Sequence, residues 1–179
     1  MGRIYPHVTE LVQELARDAR ISVEIGCGSG QYRLCVPGRY LGIDRAEYYS
    51  GGRADLRADA RWLPLFAGSV DFVFMVAVLC EMVGGDQVLA ECGRVLRPGG
   101  TLAIFDYSWW KARTRRTNWH TSSSLARRLE DHGFIPRIHW FCTPAWSRGA
   151  IRRASRTGVL RLLTYLVGNW VVVSGTKVG

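Results

Sequence analysis

One short segment restricts this chain more than any other: residues 23–30 read VEIGCGSG and continue an apolar run that begins at Ile21. Three glycines at alternate positions after a strand impose a sharp turn and let another body approach the backbone, where any Cβ would collide. An acid, Glu24, stands two residues before Gly26. The dinucleotide fingerprint Gly-x-Gly-x-x-Gly would place its third glycine at position 31, where this chain has Gln31. A nicotinamide or flavin site is therefore disfavoured.

Hydrophobic spacing supplies the frame around that turn. Val8, Leu11, Val12, Leu15, Ala16 and Ala19 recur at intervals of three and four, which predicts a helix over residues 7–19. Strands are predicted at 21–25, 40–43, 70–79, 101–105, 134–141 and 170–174. Helices are predicted directly after the glycine turn, over 88–96 and 122–132, and as a basic stretch over 148–167, with a long loop at 108–121. Alternating strands and helices imply an α/β fold with a doubly wound, mainly parallel sheet. With 179 residues and 47% hydrophobic composition the chain suits a single domain spanning 1–179. No apolar run reaches the length of a membrane span, and the charged first twenty residues lack a signal-peptide core, so a cytoplasmic location is expected. The five cysteines are scattered without a Cys-x-x-Cys pair, so no metal site is predicted.

Charge divides the chain in two. Residues 1–106 carry 11 Lys/Arg against 13 Asp/Glu, a net of −2, whereas residues 107–179 carry 13 against two, a net of +11. The second half is thus expected to face an anionic partner, for which nucleic acid, a phosphorylated metabolite and an acidic membrane surface are all suitable. A solvated basic face without a partner is the plain alternative.

Acids follow the glycine turn at the ends of successive elements. Asp44 closes YLGID, 20 residues after Glu24, where a carboxylate can accept both hydroxyls of a ribose. Asp59, in RADARWLPLF, stands where a carboxylate can accept from an adenine amino group while Ala60 offers its backbone. Taken singly, Asp44 could equally cap a helix and Asp59 a turn. In order over residues 21–106, the segments VEIGCGSG, YLGID, RADARWLPLFAGSVDFVF and ECGRVLRPGGTLAIFD resemble the class I S-adenosylmethionine-dependent methyltransferases, in particular their small single-domain members. That resemblance implies a Rossmann-like, three-layer α/β/α fold whose seven-stranded sheet takes its final strand, here NWVVVSGTK, antiparallel. It implies S-adenosyl-L-methionine as cofactor, held by Glu24, Gly26, Cys27, Gly28, Gly30, Asp44, Arg45, Asp59, Ala60 and Val76. Residues 1–106 form the cofactor-binding half and 107–179 the basic, substrate-facing half.

Methyl transfer from a sulfonium needs alignment and desolvation more than a dedicated base. If the acceptor carries a proton, Glu81, Asp106, Tyr107 and His120 stand near the strand ends and can take it; capping, packing and surface roles are their structural alternatives. The Asp/Asn-Pro-Pro-Tyr motif of the base-amine enzymes is replaced by VLCEM, and Cys80 lacks the preceding proline of the pyrimidine carbon-5 enzymes. Two branches remain similar. The tRNA wobble-uridine carboxyl methyltransferases share GCGSGQY, LGIDRA and the terminal GNWVVV, and would place Arg113, Arg115, Arg116, Arg152, Arg153 and Arg156 on RNA phosphates, with Trp109, Trp110 or Trp119 stacking on bases; their paired histidines are replaced here by Cys80 and Glu81. The quinone and small-metabolite methyltransferases share the same cofactor motifs and would use residues 148–168 as a lid or membrane-surface helix, where simple core packing is the alternative. An inactive member of the fold serving as a binding or scaffold protein is the non-enzymatic reading.

Overall fold

A computed structural model describes residues 6–45, 54–107, 120–139 and 170–179. Its elements in chain order are α1 (Pro6–Leu15), β1 (Ile21–Ile25), β2 (Arg39–Asp44), β3 (Leu56–Arg57), β4 (Val70–Val76), α2 (Gly85–Val95), β5 (Leu96–Tyr107), α3 (Ser122–Asp131), β6 (Phe134–His139) and β7 (Trp170–Lys177). The strands form one seven-stranded sheet in the order β3-β2-β1-β4-β5-β7-β6. β1 to β5 run parallel, and β7 runs antiparallel to both β5 and β6. The parallel part is what the alternating pattern implies, and the seven strands with the last antiparallel are what the family resemblance implies.

Central strands buried on both faces read as continuous apolar runs, and β4 (VDFVFMV) is the clearest case. Strand alternation then sorts its side chains into two cores. Val73 and Met75 join Val23, Ile25, Leu102, Ile104, Val171 and Val173 in an aliphatic core covered by Leu89 and Cys92 of α2 and Leu125 and Leu129 of α3. Phe72 and Phe74 join Phe105, Tyr107 and Trp170 in an aromatic core on the other face, covered by Val8, Leu11 and Val12 of α1 and by Tyr32. Phe72 and Phe74 stack at 5.4 Å, and Tyr32 meets Phe74 edge-on at 6.4 Å.

The amino ends of the central strands are tied by Asp71. Its Oδ2 accepts from the amides of Arg20 (2.9 Å) and Ile21 (2.7 Å), and its carboxylate pairs with Arg97. At the far edge, β7 packs closely against Phe134 of β6 because residue 175 is glycine. A Cβ there would come within 2.9 Å of Phe134 Cβ. Pro136 sits in β6, an edge strand, where a missing amide donor is tolerated.

Several boundaries differ from the sequence expectation, among them the end of β4, at Val76 rather than 79, and that of β7, at Lys177 rather than 174. No α-helix follows the glycine turn: residues 26–32 make turns, and a single 3-10 turn at Arg33–Cys35 leads to β2. Pro37 and Gly38 arrive too soon for a longer helix, and Tyr32, fully buried, fills the space on this face of the sheet. α1 ends at Leu15 rather than at 19, with a closing turn in which Ala19 donates to the Ala16 carbonyl (2.8 Å). α2 begins at Gly85, three residues before the first apolar position of its pattern. β5 starts at Leu96 and carries Pro98, Gly99 and Gly100 inside it, because the pairing with β4 shifts register between Val70 and Phe72. The loop expected at 108–121 and the helix at 148–167 fall almost wholly or wholly outside the described residues. Among those described, no helix is long and apolar enough to cross a membrane.

Candidate active site

The strand order reverses between β1 and β4, and open α/β sheets bind ligands in the crevice beyond the carboxyl ends of strands at such a point. A cavity of about 460 Å³ lies there. Ile25 and Gly26 at the end of β1, Ile43, Asp44 and Arg45 at the end of β2, and Val76, Ala77 and Val78 at the end of β4 line one part of it. Ala58, Ala60 and Arg61 close one side, and Glu81, Met82, Val83 and Tyr107 another.

Backbone geometry fixes the turn at its base. Gly26 and Cys27 donate to the Ile43 carbonyl at 2.8 and 3.2 Å, which ties the turn to β2. Gly26 has φ +70° and faces Val78, whose Cγ2 would lie 2.3 Å from an added Cβ, so no other residue fits between the turn and the end of β4. Ala77 itself has φ +57°, the single non-glycine residue in the left-handed region among those described, and its amide donates to Phe105 O at 2.7 Å. Strained backbone of this kind gathers where a site over-determines its conformation.

Asp44 is held from two sides. Its Oδ2 accepts from the Gly28 amide at 2.6 Å and its Oδ1 from the Arg45 amide at 2.7 Å. Each oxygen keeps a lone pair for a further donor. Gly28 and Gly30 lie behind this contact rather than on the cavity wall, with φ of +50° and +69°. Glu24 is also off the wall. It is 2% exposed beneath the turn and accepts from the Tyr40 hydroxyl. Burial pushes its carboxyl up to about 8, with Tyr40 and Arg33 pulling down and Asp44 adding repulsion. Cys27 is buried beside it, and burial with the neighbouring acids raises its thiol to about 12.

Asp59 occupies the rim. Its carboxylate is taken by Arg61, through Nε and the amide on Oδ1 (3.0 Å each) and Nη2 on Oδ2 (2.7 Å), and these bonds hold its pKa down at about 2. Arg61, not Asp59, lines the cavity. Of the ten residues that the sequence nominates as cofactor contacts, Gly26, Asp44, Arg45, Ala60 and Val76 are on the wall.

The four proton-acceptor candidates separate. Glu81 and Tyr107 reach the cavity, and Tyr107 is braced by Trp170 at 4.9 Å between ring centroids. Asp106 is fully buried, with Oδ1 accepting from the Tyr107 amide at 2.8 Å and Oδ2 without a hydrogen-bond partner among the described residues. Burial raises its carboxyl to about 6 against the lowering effect of Cys80 and the Tyr107 amide. His120 is off the wall, beside Arg128 (Nη1 to Nδ1, 3.5 Å), which is itself bound to Asp86; burial and Arg128 lower its pKa. Val78, Met82 and Val83 line the site without a sequence signal, because apolar residues in a loop after a strand carry no periodicity.

Residues 23–104 match the family described as a methyltransferase domain. The match covers a little under half of the chain. Around it, a 37.1 kDa protein in transposon TN4556 of Streptomyces fradiae is 29% identical over 65% of this chain and 38% of its own length. The trans-aconitate 2-methyltransferase of an Azoarcus species is 36% identical over 49% of this chain and 39% of its own. The chain thus spans about two fifths of the length of these relatives. The crystal structure of the YcgJ protein from Bacillus subtilis shares the fold, with a TM-score of 0.73 at 14% identity, covering 98% of this chain and 100% of that one. S-adenosylmethionine is the cofactor of the methyltransferase domain, and the residues present fit it. The glycine turn excludes side chains where Val78 already fills the space, a two-point-anchored carboxylate ends β2, and Ile43, Ala58 and Ala60 give an apolar wall of the kind a planar base requires.

Proposed function

We propose that this chain transfers a methyl group from S-adenosylmethionine to an oxygen or nitrogen of an anionic acceptor. One observation carries the reading: Asp44, anchored on the Gly28 and Arg45 amides, ends β2 inside a cavity that runs on to Glu81 and Tyr107. Asp44 accepts the ribose hydroxyls with its remaining lone pairs, while Gly26 presents bare backbone. Ala58, Ala60 and Ile43 enclose the adenine, and Asp59 orders the rim by holding Arg61. When bound, the cofactor supplies a methyl group on a positively charged sulfur, an electrophile that requires only alignment with the incoming atom. Tyr107, fixed by Trp170, and Glu81 stand at the other end, where the acceptor enters. Glu81 is the group there that takes a proton from an acceptor hydroxyl or amine. Asp106, fully buried, orders the end of β5 rather than meeting substrate.

The +11 charge of residues 107–179 favours RNA as the acceptor, with Arg113, Arg115, Arg116, Arg152, Arg153 and Arg156 on phosphates; these positions lie outside the described residues. A small metabolite is the second reading, favoured by the trans-aconitate 2-methyltransferase and by a demethylmenaquinone methyltransferase of a Parafrankia species, 44% identical over 36% of this chain. Calorimetric titration with S-adenosylmethionine, S-adenosylhomocysteine and NADH tests the cofactor: saturable binding of the two sulfur compounds alone is expected, and binding of NADH alone would refute it. Methyl transfer to bulk tRNA, set against a panel of small acids and quinones, then separates the acceptors. Neutralising Arg152, Arg153 and Arg156 is expected to weaken RNA binding without changing cofactor affinity. Unchanged RNA binding transfers the assignment to the metabolite reading.

A further inference from the structure

Strand alternation puts Glu24 on the face opposite Val23 and Ile25, toward α1 and the aromatic core. Its cross-strand partner on β2 is Gly42, and Tyr40, paired with Ser22, reaches diagonally to Glu24 Oε2 with its hydroxyl. The missing side chain at 42 makes that reach possible. A Cβ there would stand 2.9 Å from both the Tyr40 hydroxyl oxygen and Cys27 Sγ. Gly42 therefore opens a small chamber under the glycine turn in which a carboxyl, a phenol and a thiol meet.

The chamber has a charged outer wall that is already neutralised. The Arg33 guanidinium lies over the Tyr40 ring, 4.5 Å from its centroid, and binds both oxygens of Asp55 at 2.8 Å. Asp55 Oδ2 also accepts from the Gly42 amide at 2.8 Å, so the pair closes the chamber from the β3 side. Glu24 thus has a hydroxyl rather than a cation as its hydrogen-bond partner. Asp44 at the end of β2 adds negative charge, while burial and the neighbouring acids keep the Cys27 and Cys35 thiols protonated. Burial and the nearby Asp44 carboxylate favour the protonated acid and outweigh the pull of the Tyr40 hydroxyl and Arg33, so the group keeps its proton up to about 8.

The cofactor of the proposed function, with a sulfonium, an ammonium and a carboxylate, would bring a net charge of +1 to the cavity that Gly26 of the turn lines. We propose that cofactor binding expels one proton from Glu24, with Tyr40 as the positioning residue that holds the carboxyl before and after its ionisation. The O–H bond of the Glu24 carboxyl breaks, its electron pair stays on the carboxylate, and the proton passes to solvent. The Tyr40 hydroxyl remains protonated and donates throughout, as burial and the adjoining Glu24 keep the phenol far above its ordinary range. The coupling works through charge in a low-dielectric chamber. It rests on the reading of the cavity as a site for S-adenosylmethionine.

The test is calorimetric titration of the full chain with S-adenosylmethionine near pH 7, in buffers of differing ionisation enthalpy. Because the cofactor's own α-amino group titrates at about 7.7–8.0, the reference is Glu24→Gln, which keeps an acceptor for Tyr40 but has no proton to lose. Release by the wild type should exceed release by Glu24→Gln by close to one proton. Wild-type affinity should climb with pH relative to the variant and level off above about 8. Tyr40→Phe removes a hydrogen bond that favours the carboxylate, so its levelling point should move to higher pH while its melting profile confirms a folded chain. Equal proton release by wild type and Glu24→Gln overturns the inference and leaves the cofactor assignment standing. Absence of S-adenosylmethionine binding by the wild type overturns both.

Discussion

Asp44 joins two roles in one carboxylate, since it orders the glycine turn through the Gly28 amide and faces the cavity with its free lone pairs. Asp44→Ala is therefore expected to weaken S-adenosylmethionine binding by more than tenfold, as loss of a charged acceptor removes about 1.5–3 kcal/mol. Isothermal titration checks this, and wild-type affinity in the variant would exclude Asp44 from the site. Glu24 and Asp106 make a second residue-scale expectation. Both have folded pKa values raised above the unfolded ones, to about 8 from 4.5 and to about 6 from 3.8. Within those windows the folded chain holds a proton that the unfolded chain has released, so their contribution to stability is lost as pH rises. The melting temperature should fall from about pH 5 to 8, and Glu24→Gln should flatten the fall above about 6, where Asp106 no longer contributes. A thermal denaturation series across pH measures it. The glycines and Asp44 were legible in the sequence because their chemistry is local: a turn without side chains, and an acid at a strand end. The Asp59 carboxylate was expected to face an adenine amino group, but Arg61 two residues on engages it, through a loop conformation that no spacing encodes. The Glu24–Tyr40 contact was equally invisible, because it requires the register of β1 on β2.

At the scale of elements, helices and strands with a strong period were legible and their ends were not. The missing helix after the glycine turn shows why. Helix propensity over residues 31–36 competes with the burial of Tyr32 and with the arrival of Pro37, and packing decides the outcome. β5 extends through Pro98–Gly100 because a register shift against β4 accommodates residues that would otherwise end a strand. Two elements give sharp mutational expectations. α3 begins with a reciprocal capping box, Thr121 Oγ1 accepting from the Ser124 amide and Ser124 Oγ from the Thr121 amide, both at 3.0 Å. Thr121→Ala should cost about 1 kcal/mol in chemical denaturation. Asp71→Ala should cost more, about 3 kcal/mol, since it strips the amides of Arg20 and Ile21 of their acceptor and leaves Arg97 unpaired. If Asp71→Ala proved no worse than Thr121→Ala, the tie between the amino ends of β1 and β4 would be of minor importance.

Across the whole molecule, the mainly parallel sheet with its antiparallel last strand was expected from the pattern and the family resemblance, whereas the acceptor was not. The reason is physical: a cofactor of fixed shape imposes fixed residues at the strand ends, while an acceptor is recognised by loops whose side chains answer only to it. A ligand that binds the folded chain alone raises its stability by about 2.7 kcal/mol at a hundred times its dissociation constant. For a chain of this size that corresponds to about 5–10 °C. S-adenosylhomocysteine should produce a shift of this order and NADH none, read by differential scanning fluorimetry. The position of β7 has a further consequence, for the chain as it is being made. β5 leaves the ribosome some sixty residues ahead of β7, and its partner edge stays open through all of that interval. Until residues 170–177 emerge, the nascent chain offers a bare apolar strand edge to its neighbours, so its yield in the cell should depend on how fast translation delivers that segment and on the chaperones that shield the edge meanwhile.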